Sequence, residues 1–529
     1  MSEIVVSKMN EVYMLVQCGS GEAMEINQYF TFFVPGYKFM PAFRNKIWDG
    51  RIRLFNSNSR TLYFGLMNYL KEFCDDRGYT FTLDDSIEPD EEFSIVEAKN
   101  FADSLGLTLE PREYQLKAFA HAVRKRRSML LSPTASGKSF IIYLLVRYLA
   151  GKTLIIVPTT SLVSQLYKDF ADYGFDSENH IHQITAGATK DHPHDIFIST
   201  WQSIFKQPKS WFDQFDVVIG DEAHQFKAKS LTTILTNMEN CGYRFGFTGT
   251  LDGTQTHKLV LEGLFGPVKK VTTTKTLMDD GQLSEFRIKS LILKHSKERC
   301  KEISKVKYQD EIDYLVKSKP RNKFITNLAV SLEGNTLLLF QYVDKHGKVL
   351  YNNIIDKVES GRKVFYVSGE TKADDREDVR SMVESQNNAI IVASFGTFST
   401  GINIKNLHNV IFASPSKSKI RTLQSIGRGL RLGDNKDHAT LYDIADDLTH
   451  GKKQNYTLGH FVERMKMYSE DAITPLSVGE WLDGLSDKAP HLFNKSQGTG
   501  VTQPTTTSAP DQTSGTATDM ILAGLKSLR

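Results

Sequence analysis

The stretch Ser132-Pro-Thr-Ala-Ser-Gly-Lys-Ser139 and, further along the chain, Asp221-Glu-Ala-His224 decide the fold of this protein. The first stretch ends in Gly-Lys-Ser, as phosphate-binding loops do, where backbone N–H groups cradle phosphates and the lysine reaches the outer ones. Ser132 stands where the simple pattern has its first glycine, so the loop alone is an incomplete match. The pair of stretches predicts a site that binds and hydrolyses a nucleoside triphosphate.

The chemistry of this site assigns a role to each polar residue. We expect Lys138 to contact the outer phosphates, and Ser139 and Asp221 to hold Mg²⁺ through a hydroxyl and a carboxylate. Glu222 would orient and deprotonate the attacking water. The candidate nucleotide ligands in the loop are Pro133, Thr134, Ala135, Ser136, Gly137, Lys138 and Ser139.

Apolar runs place both stretches at the ends of buried strands. Residues 128–131 read as a strand before the loop, and residues 140–149 read as a buried helix after it. Strand, loop and helix in that order point a helix N-terminus at phosphate. The run 216–220 carries Asp221 and Glu222 to the carboxyl edge of the sheet, where open α/β sheets bind ligands.

The alternation of strands and helices predicts an α/β fold with two tandem parallel-sheet lobes and a cleft between them. Short strand-like runs before the first lobe predict a small α+β domain. The segment after the second lobe looks helical, and a Thr/Ser/Gly-rich stretch then predicts disorder. The predicted domains are 1–98, the N-terminal domain; 99–280, lobe 1; 281–447, lobe 2; 448–493, a short helical region; 494–518, a disordered linker; and 519–529, a short amphipathic segment.

Composition restricts the class of protein. The 529 residues are 40% hydrophobic and carry a net charge of only +3, so any nucleic-acid contact must come from local patches. The four cysteines are too scattered for a zinc site or a disulfide framework. We find no signal peptide and no apolar run of membrane-spanning length, and we therefore expect a cytosolic chain. The histidines at 180, 182, 192 and 194 are interpreted as loop residues in preference to zinc ligands.

In sequence order, the motifs of the first lobe resemble those of the superfamily 2 helicases, in particular the DEAH-box type. The resemblance implies ATP and Mg²⁺ as cofactors, an adenine-reading pair before the loop, nucleic-acid contacts in motifs Ia and Ic, and a motif III that couples hydrolysis to strand contact. It assigns Tyr114 and Gln115 to adenine, Thr159, Thr160, Thr200, Trp201 and Gln202 to nucleic acid, His224 to the ATP site, and Thr248-Gly-Thr250 to motif III.

The second lobe continues the resemblance. Ser394–Gly401 looks like motif V, which places Ser399 and Thr400 at nucleic acid and Gly401 at the nucleotide. Gln424-Ser-Ile-Gly-Arg-Gly-Leu-Arg431 matches motif VI, in which Gln424 contacts the nucleotide and two arginines face the γ-phosphate. An arginine supplied across a cleft increases the rate by about 10³–10⁵. We assign Arg431 as the finger and Arg428 as a γ-phosphate contact.

A narrower resemblance lies in residues 36–55, which look like the N-terminal domain of the UvsW-type phage recombination helicases. This stretch alternates aromatic residues with cations, a composition that grips phosphates and stacks on bases. In the alternative interpretation the aromatic residues, Trp48 included, fill the core of a surface hairpin. The predicted nucleic-acid contacts are Lys38, Arg44, Lys46, Trp48, Arg51 and Arg53.

The family resemblance implies an ATP-dependent DNA helicase that remodels branched DNA: fork regression, Holliday junction branch migration and R-loop unwinding. An RNA helicase and an ATP-switched annealing or binding module remain alternatives. We expect branched DNA as partner, a monomer or weak oligomer, and the host-cell cytoplasm as location. The terminal segment 519–529 is either a binding site for a protein partner or a tail without function.

Overall fold

The structure is a computed structural model that divides into two compact units, Met1–Thr272 and Thr273–Arg529. It describes residues 3–34, 36–133, 135–185, 187–225, 228–249, 251, 255–283, 285–371, 373–397, 404, 406–415, 438–451, 453–470, 475–476 and 501–502.

The N-terminal domain is a small α+β layer at the start of the first unit. Alternate residues of its strands point inward, as Ile4 and Val6 do in the first strand, so that one sheet face is buried. The sheet order is β5-β6-β2-β1-β7, and β3 and β4 form a separate antiparallel pair. Its elements are β1 (Glu3–Lys8), β2 (Tyr13–Gln17), α1 (Ser20–Tyr29), β3 (Thr31–Phe33), a 3₁₀ turn (Tyr37–Phe39), α2 (Pro41–Arg44), β4 (Arg51–Arg53), β5 (Phe55–Asn56), β6 (Thr61–Tyr63), a 3₁₀ turn (Phe64–Leu66), α3 (Met67–Arg77) and β7 (Thr80–Leu83).

The first lobe is a parallel sheet with helices packed on it. Its strand order is β10-β11-β9-β12-β13-β8-β14, and every pairing in it is parallel. The helices are α4 (Ile95–Ser104), α5 (Glu113–Lys125), α6 (Lys138–Tyr148), α7 (Thr160–Asp172), α8 (Ser177–His180), α9 (Trp201–Ile204), α10 (Lys209–Phe212), α11 (Ala228–Asn237) and α12 (Gln255–Phe265). The strands are β8 (Arg127–Leu131), β9 (Thr153–Val157), β10 (Ile181–Ile184), β11 (Ile196–Thr200), β12 (Val217–Gly220), β13 (Tyr243–Thr248) and β14 (Val268–Lys270).

The N-terminal domain and the first lobe share one hydrophobic core. Leu66 and Leu70 of the domain belong to the same buried cluster as Leu264 and Phe265 of α12. The backbone at Gly65 lies so close to α12 that a Cβ there would be 1.9 Å from the Glu262 carbonyl oxygen. The domain is therefore packed on the lobe as part of one unit.

The second unit contains another parallel sheet, in the order β17-β18-β16-β19-β20-β15-β21, with β22 antiparallel to the end of β15. The helices are α13 (Thr274–Asp279), α14 (Lys297–Ile303), α15 (Tyr308–Lys317), α16 (Lys319–Ser331), α17 (Lys348–Ile355), α18 (Ala373–Glu384) and α19 (Tyr456–Glu470), with a π turn at Val343–Gly347. The strands are β15 (Glu285–His295), β16 (Thr336–Phe340), β17 (Val364–Val367), β18 (Ile390–Ser394), β19 (Asn409–Phe412), β20 (His438–Asp447), β21 (Pro475–Leu476) and β22 (Val501–Thr502).

These two parallel-sheet units confirm the predicted fold class. Within the predicted disordered linker, Val501 and Thr502 pair with β15; its other residues, and the segment 519–529, lie outside the described residues. Cys74, Cys241 and Cys300 are buried and Cys18 is half-buried, all as free thiols. No helix in the described ranges combines the length and the apolar character needed to cross a bilayer.

Candidate nucleotide and nucleic-acid sites

The loop between β8 and α6 is held by its own serine hydroxyls. Ser136 donates its hydroxyl to the Pro133 carbonyl at 2.7 Å, and the Oγ atoms of Ser132 and Ser136 lie 2.6 Å apart. The backbone is left-handed at Ala135 and Gly137, with φ of 68° and 76°. The departure from glycine at Ser132 thus has a structural explanation, since its hydroxyl contacts that of Ser136 within the loop whose N–H groups are predicted to bind phosphate.

The predicted adenine-reading pair supports the same loop from α5. The Tyr114 hydroxyl and the Gln115 amide both donate to the Ser136 carbonyl, at 2.9 and 3.1 Å. Gln115 also accepts a hydrogen bond from the Arg112 backbone N–H at 2.9 Å. The left-handed φ of 76° at Gly137 favours glycine, and a Cβ there would displace the Gln115 amide nitrogen, which would lie 2.4 Å away. The adenine contact of Tyr114 and Gln115 stays a prediction.

The acidic motif lies at the carboxyl edge of the sheet, beside the loop. Lys138 forms an ion pair with Glu222 at 2.7 Å, and their side chains are 13% and 17% exposed. Asp221 accepts the Glu222 backbone N–H at 2.9 Å, and Glu222 itself has a left-handed φ of 49°. A non-glycine residue in this region is strained, and such strain is concentrated at functional sites. Burial and the neighbouring Glu222 raise the pKa of Asp221 to about 6.

His224 connects the acidic motif to the motif on β13. Its side chain is buried, with its Nδ1 2.6 Å from the Thr248 hydroxyl and 3.4 Å from a Glu222 carboxylate oxygen. The His224 side chain therefore lies between Glu222 and Thr248 and contacts both of them. Gly249 follows in the described chain, and Thr250 lies outside it.

The predicted Mg²⁺ ligands provide the oxygen donors that this ion prefers. Asp221 offers a carboxylate and Ser139 a hydroxyl, and Mg²⁺ completes its shell with waters and phosphate oxygens. The Ser139 hydroxyl lies 2.8 Å from that of Tyr173, whose pKa burial raises to about 12. Tyr173 has no motif around it and lies far along the chain from Ser139, so the sequence contained no signal for this contact.

The two predicted nucleic-acid motifs of the first lobe meet at one edge. Strands β9 and β11 are adjacent and parallel, with Val157 opposite Thr200, so the residues after both strands emerge together. The Gln202 amide donates to the Pro158 carbonyl at 3.4 Å and connects the two loops. Of the predicted nucleic-acid residues, two are exposed, Thr160 and Gln202, and two are half-buried, Thr159 and Trp201. Thr200 is buried, and its hydroxyl oxygen lies 2.9 Å from that of Ser203.

The basic stretch of the N-terminal domain has features of both predicted roles, a nucleic-acid contact surface and a small aromatic core. Lys38, Arg44, Lys46, Arg51 and Arg53 are all exposed. Trp48 is half-buried and donates its indole N–H to the Arg51 carbonyl at 2.9 Å. Arg51 also lies over the Phe33 ring at 4.6 Å, and Arg53 forms an ion pair with Asp49. Cations are thus presented outward, while some aromatic side chains form a local core.

The remaining predicted residues cannot be placed. Thr134, Ser399, Thr400, Gly401, Gln424, Arg428 and Arg431 lie outside the described residues. The His192 ring stacks on the His182 ring, with centroids 4.4 Å apart, and meets the His194 ring edge to face, with centroids 4.0 Å apart. The described ranges contain no group of three or more histidine, cysteine or acidic side chains that could hold a metal ion.

Known proteins match this chain along most of its length. Residues 4–84 match "DNA helicase UvsW, N-terminal", residues 108–253 match "Type III restriction enzyme, res subunit", and residues 320–433 match "Helicase conserved C-terminal domain". The protein described as ATP-dependent DNA helicase uvsW of Enterobacteria phage T4 is 38% identical over an alignment of 482 residues, and the match covers 86% of this chain and 95% of that protein.

Two solved structures were also found. The crystal structure of T4 UvsW is 35% identical and aligns over 89% of this chain and 97% of that chain, with a TM-score of 0.48. The DNA-bound Type ISP restriction-modification enzyme LlaBIII is 17% identical and aligns over 68% of this chain and 30% of that one, with a TM-score of 0.50, a likeness of fold alone. The two parallel-sheet units are RecA-like helicase lobes. The N-terminal match and the identity to the T4 helicase together show that the chain belongs to the UvsW family of superfamily 2 ATP-dependent DNA helicases.

Proposed function

We propose that this helicase acts on branched DNA: it regresses forks, migrates Holliday junctions and unwinds R-loops. The observation that carries the proposal is the ATP site built on the same unit as the N-terminal domain, which carries the basic stretch 36–55, with Lys138 paired to Glu222 at 2.7 Å. ATP hydrolysis at this site can therefore act on DNA held by the domain.

The site has a resting arrangement that nucleotide must change. Lys138 now neutralises Glu222, so neither group is available for its predicted role. The β- and γ-phosphates of ATP would compete for Lys138 and release the Glu222 carboxylate to deprotonate the attacking water. Ser139 and Asp221 would hold Mg²⁺, which neutralises phosphate charge when bound. The contact of His224 with Thr248 would transmit the change toward the nucleic-acid edge.

The energy of base pairing favours branched substrates. Separating one base-pair step of duplex DNA costs about 1.4 kcal/mol in stacking. At a four-way junction each pair that breaks is replaced by one that forms, so the motor only has to bias an exchange close to equilibrium. This exchange suits a motor with a single small accessory domain.

Several finer assignments belong to the proposal. We place the protein in the DEAH-box type and in the host-cell cytoplasm, as a monomer or weak oligomer with ATP and Mg²⁺. Arg431 serves as the finger and Arg428 contacts the γ-phosphate. The domain boundaries are those expected from the sequence, and 519–529 is a candidate binding segment for a protein partner.

Three substrates test the proposal with wild-type protein: a mobile four-way DNA junction, a blunt DNA duplex and an RNA duplex of the same sequence. We expect ATP-dependent product from the junction, and little from either duplex. Unwinding of the RNA duplex in preference to the junction would favour an RNA helicase. ATP hydrolysis stimulated by DNA without any displaced strand would favour an annealing switch.

A further inference from the structure

A small tip of the N-terminal domain carries the most exposed large apolar side chains among the residues that the structure describes. We define the tip as residues 36–50, which connect β3 to β4. Phe39 and Ile47 are 76% and 79% exposed, more than any other large hydrophobic side chain in the described part of the chain. Met40 beside them is 37% exposed. These three side chains fall within nine residues of one loop, and exposed apolar side chains that are grouped mark interaction sites.

The tip is ordered without them. The Tyr37 ring packs between those of Phe33 and Phe43, each with its centroid 4.7 Å away. A Cβ at Gly50, where φ is 80°, would lie 2.3 Å from the Tyr37 ring, so the chain closes tightly over this small core. Phe39 and Ile47 have no part in these ring contacts, and their exposure is not a consequence of missing core residues.

The backbone holds Ile47 outward. Lys46 has a left-handed φ of 56°, which is uncommon for a residue other than glycine and reverses the chain after α2. The Ile47 and Trp48 backbone N–H groups then both donate to the Ala42 carbonyl, at 2.9 and 3.2 Å. The Val34 N–H donates to the Gly50 carbonyl at 2.9 Å and closes the base of the tip.

The surroundings of the apolar pair are cationic. Lys38, Arg44 and Lys46 are exposed neighbours of Phe39 and Ile47 in the sequence, and residues 36–48 contain no acidic residue. The first acid, Asp49, is paired with Arg53. Exposed apolar side chains with cations next to them in one loop fit a ligand with an apolar interior and a phosphate exterior.

The tip also has a firm mechanical connection to the motor. The domain that carries it shares a core with the first lobe, the Tyr69 hydroxyl donates to Glu262 at 2.7 Å, and Arg127 forms an ion pair with Glu11 at 2.7 Å. Movement of the ATP-binding lobe therefore moves the tip.

We propose that Phe39 and Ile47 insert between base steps at the branch point and keep the strands apart, while Lys38, Arg44 and Lys46 hold the flanking phosphates. Apolar wedges of this kind unstack a base step, and the energetic cost of unstacking is smallest where pairing is already interrupted. This inference rests on the proposed action on branched DNA. It assigns insertion to two residues that the sequence motifs did not single out, and it leaves Trp48 as a support of the tip.

The test uses the full chain and an immobile four-way junction with 2-aminopurine at the branch point, whose fluorescence rises when the base is unstacked. We expect wild-type protein to raise the fluorescence, and the double variant Phe39→Ala with Ile47→Ala to reduce that rise at least threefold. Met24→Ala, a 67% exposed side chain on α1 of the same domain, is the matched control and should behave as wild type. The single variant Phe39→Trp, which keeps an aromatic side chain and leaves Ile47 in place, should retain most of the wild-type rise in fluorescence.

The outcomes are separable from those of the functional proposal, because the fluorescence assay needs no ATP. An equal rise in wild type and double variant at saturating protein overturns the insertion, whether or not junctions migrate. Wild-type protein that raises the fluorescence through the tip but migrates no junction supports the insertion and contradicts the functional proposal.

Discussion

At the scale of single residues, Asp221 of the predicted ATP site has a carboxyl group whose ionised form lowers the stability of the folded protein. Burial and Glu222 raise its pKa to about 6, from an ordinary value near 3.8. The Asp221 carboxyl holds its proton more tightly in the native state than in the unfolded state. The protonated carboxyl therefore makes its full contribution to the free energy of unfolding below the unfolded pKa, and this contribution is lost as pH rises through about 6. At pH 8 the protein therefore carries an ionised, partly buried carboxylate beside a second one.

We predict that Asp221→Asn abolishes ATP hydrolysis and raises the free energy of unfolding of the first unit at pH 8 by about 1–3 kcal/mol. Urea unfolding without nucleotide and with a metal chelator measures the difference, which should shrink as pH falls from 8 to 4. Asp172→Asn, an exposed residue of the same lobe, is the control. A variant less stable than wild type at pH 8 would contradict the assigned cause.

His346 in the second unit has the opposite behaviour. It is buried, its Nδ1 lies 2.8 Å from the Ser414 hydroxyl and its Nε2 3.2 Å from the Asn322 side-chain oxygen. Burial, with help from Arg321, lowers its pKa to about 3. Since the unfolded histidine takes up its proton near pH 6.5, the unfolding free energy falls as the medium becomes more acidic.

We expect the stability advantage of wild type over His346→Gln to decrease by roughly 2 kcal/mol between pH 8 and pH 5. Chemical denaturation of the second unit at the two pH values measures it. His450→Gln, which changes an exposed histidine of the same unit, serves as comparison. An advantage that is independent of pH would show that His346 titrates normally.

At the scale of elements, the contact between the 3₁₀ turn at Phe64–Leu66 and α12 decides whether the N-terminal domain follows the motor. Gly65 sits on the backbone of α12, where a Cβ would be 1.9 Å from the Glu262 carbonyl and 2.9 Å from that of Gly263. Backbone cannot move aside as a flexible side chain can.

We predict that Gly65→Ala lowers the free energy of unfolding of the first unit by about 1–3 kcal/mol, as overpacking does. Gly21→Ala is the matched control, since nothing lies within 4 Å of a Cβ built at that position. Thermal unfolding of both variants beside wild type gives the answer. Equal transition temperatures for Gly65→Ala and wild type would mean that the domain is not seated on α12 in solution.

Elements with continuous apolar runs were predicted well from sequence. The predicted strands 128–131 and 216–220 agree to within one residue with β8 and β12, because the apolar run of an inner parallel strand is buried on both faces. Strands β15 and β20 were not predicted, since charged residues interrupt them. Within β20, Asp443 is buried and bonded to Arg464 of α19 at 2.7 Å, and a partner 21 residues away cannot be read from the local pattern.

The candidate site divides in the same way. Lys138, Asp221 and Glu222 were found because their motifs have fixed local spacing, and the structure brings them together. Two other contacts depend on how α5 and α7 pack on α6. These are the contact between the Ser139 and Tyr173 hydroxyls and the hydrogen bond from Gln115 to the loop. Such contacts between distant segments leave no signature in a single sequence.

At the scale of the whole molecule, a net charge of +3 leaves DNA binding to local groups. Each cation that neutralises a phosphate adds about 0.9 to the slope of log affinity against log salt concentration. We therefore predict that Arg44→Ala with Lys46→Ala lowers this slope by roughly 1–2. Lys71→Ala, an exposed lysine on α3 of the same domain, should leave the slope unchanged. Fluorescence anisotropy with a labelled junction between 50 and 200 mM salt measures the slopes, and identical values for all three proteins would place DNA elsewhere.

The central claim is that hydrolysis at this ATP site drives strand exchange in branched DNA, and Glu222→Gln tests it most directly. This variant keeps the loop, Lys138 and the DNA-binding surfaces, and removes the group that would deprotonate the attacking water. On a mobile four-way junction with ATP and Mg²⁺, wild type should migrate the branch. Glu222→Gln should bind the junction with similar affinity and migrate it at a rate about 10²–10⁴-fold lower, in proportion to its loss of hydrolysis. Branch migration at the wild-type rate by a variant that no longer hydrolyses ATP would contradict the claim.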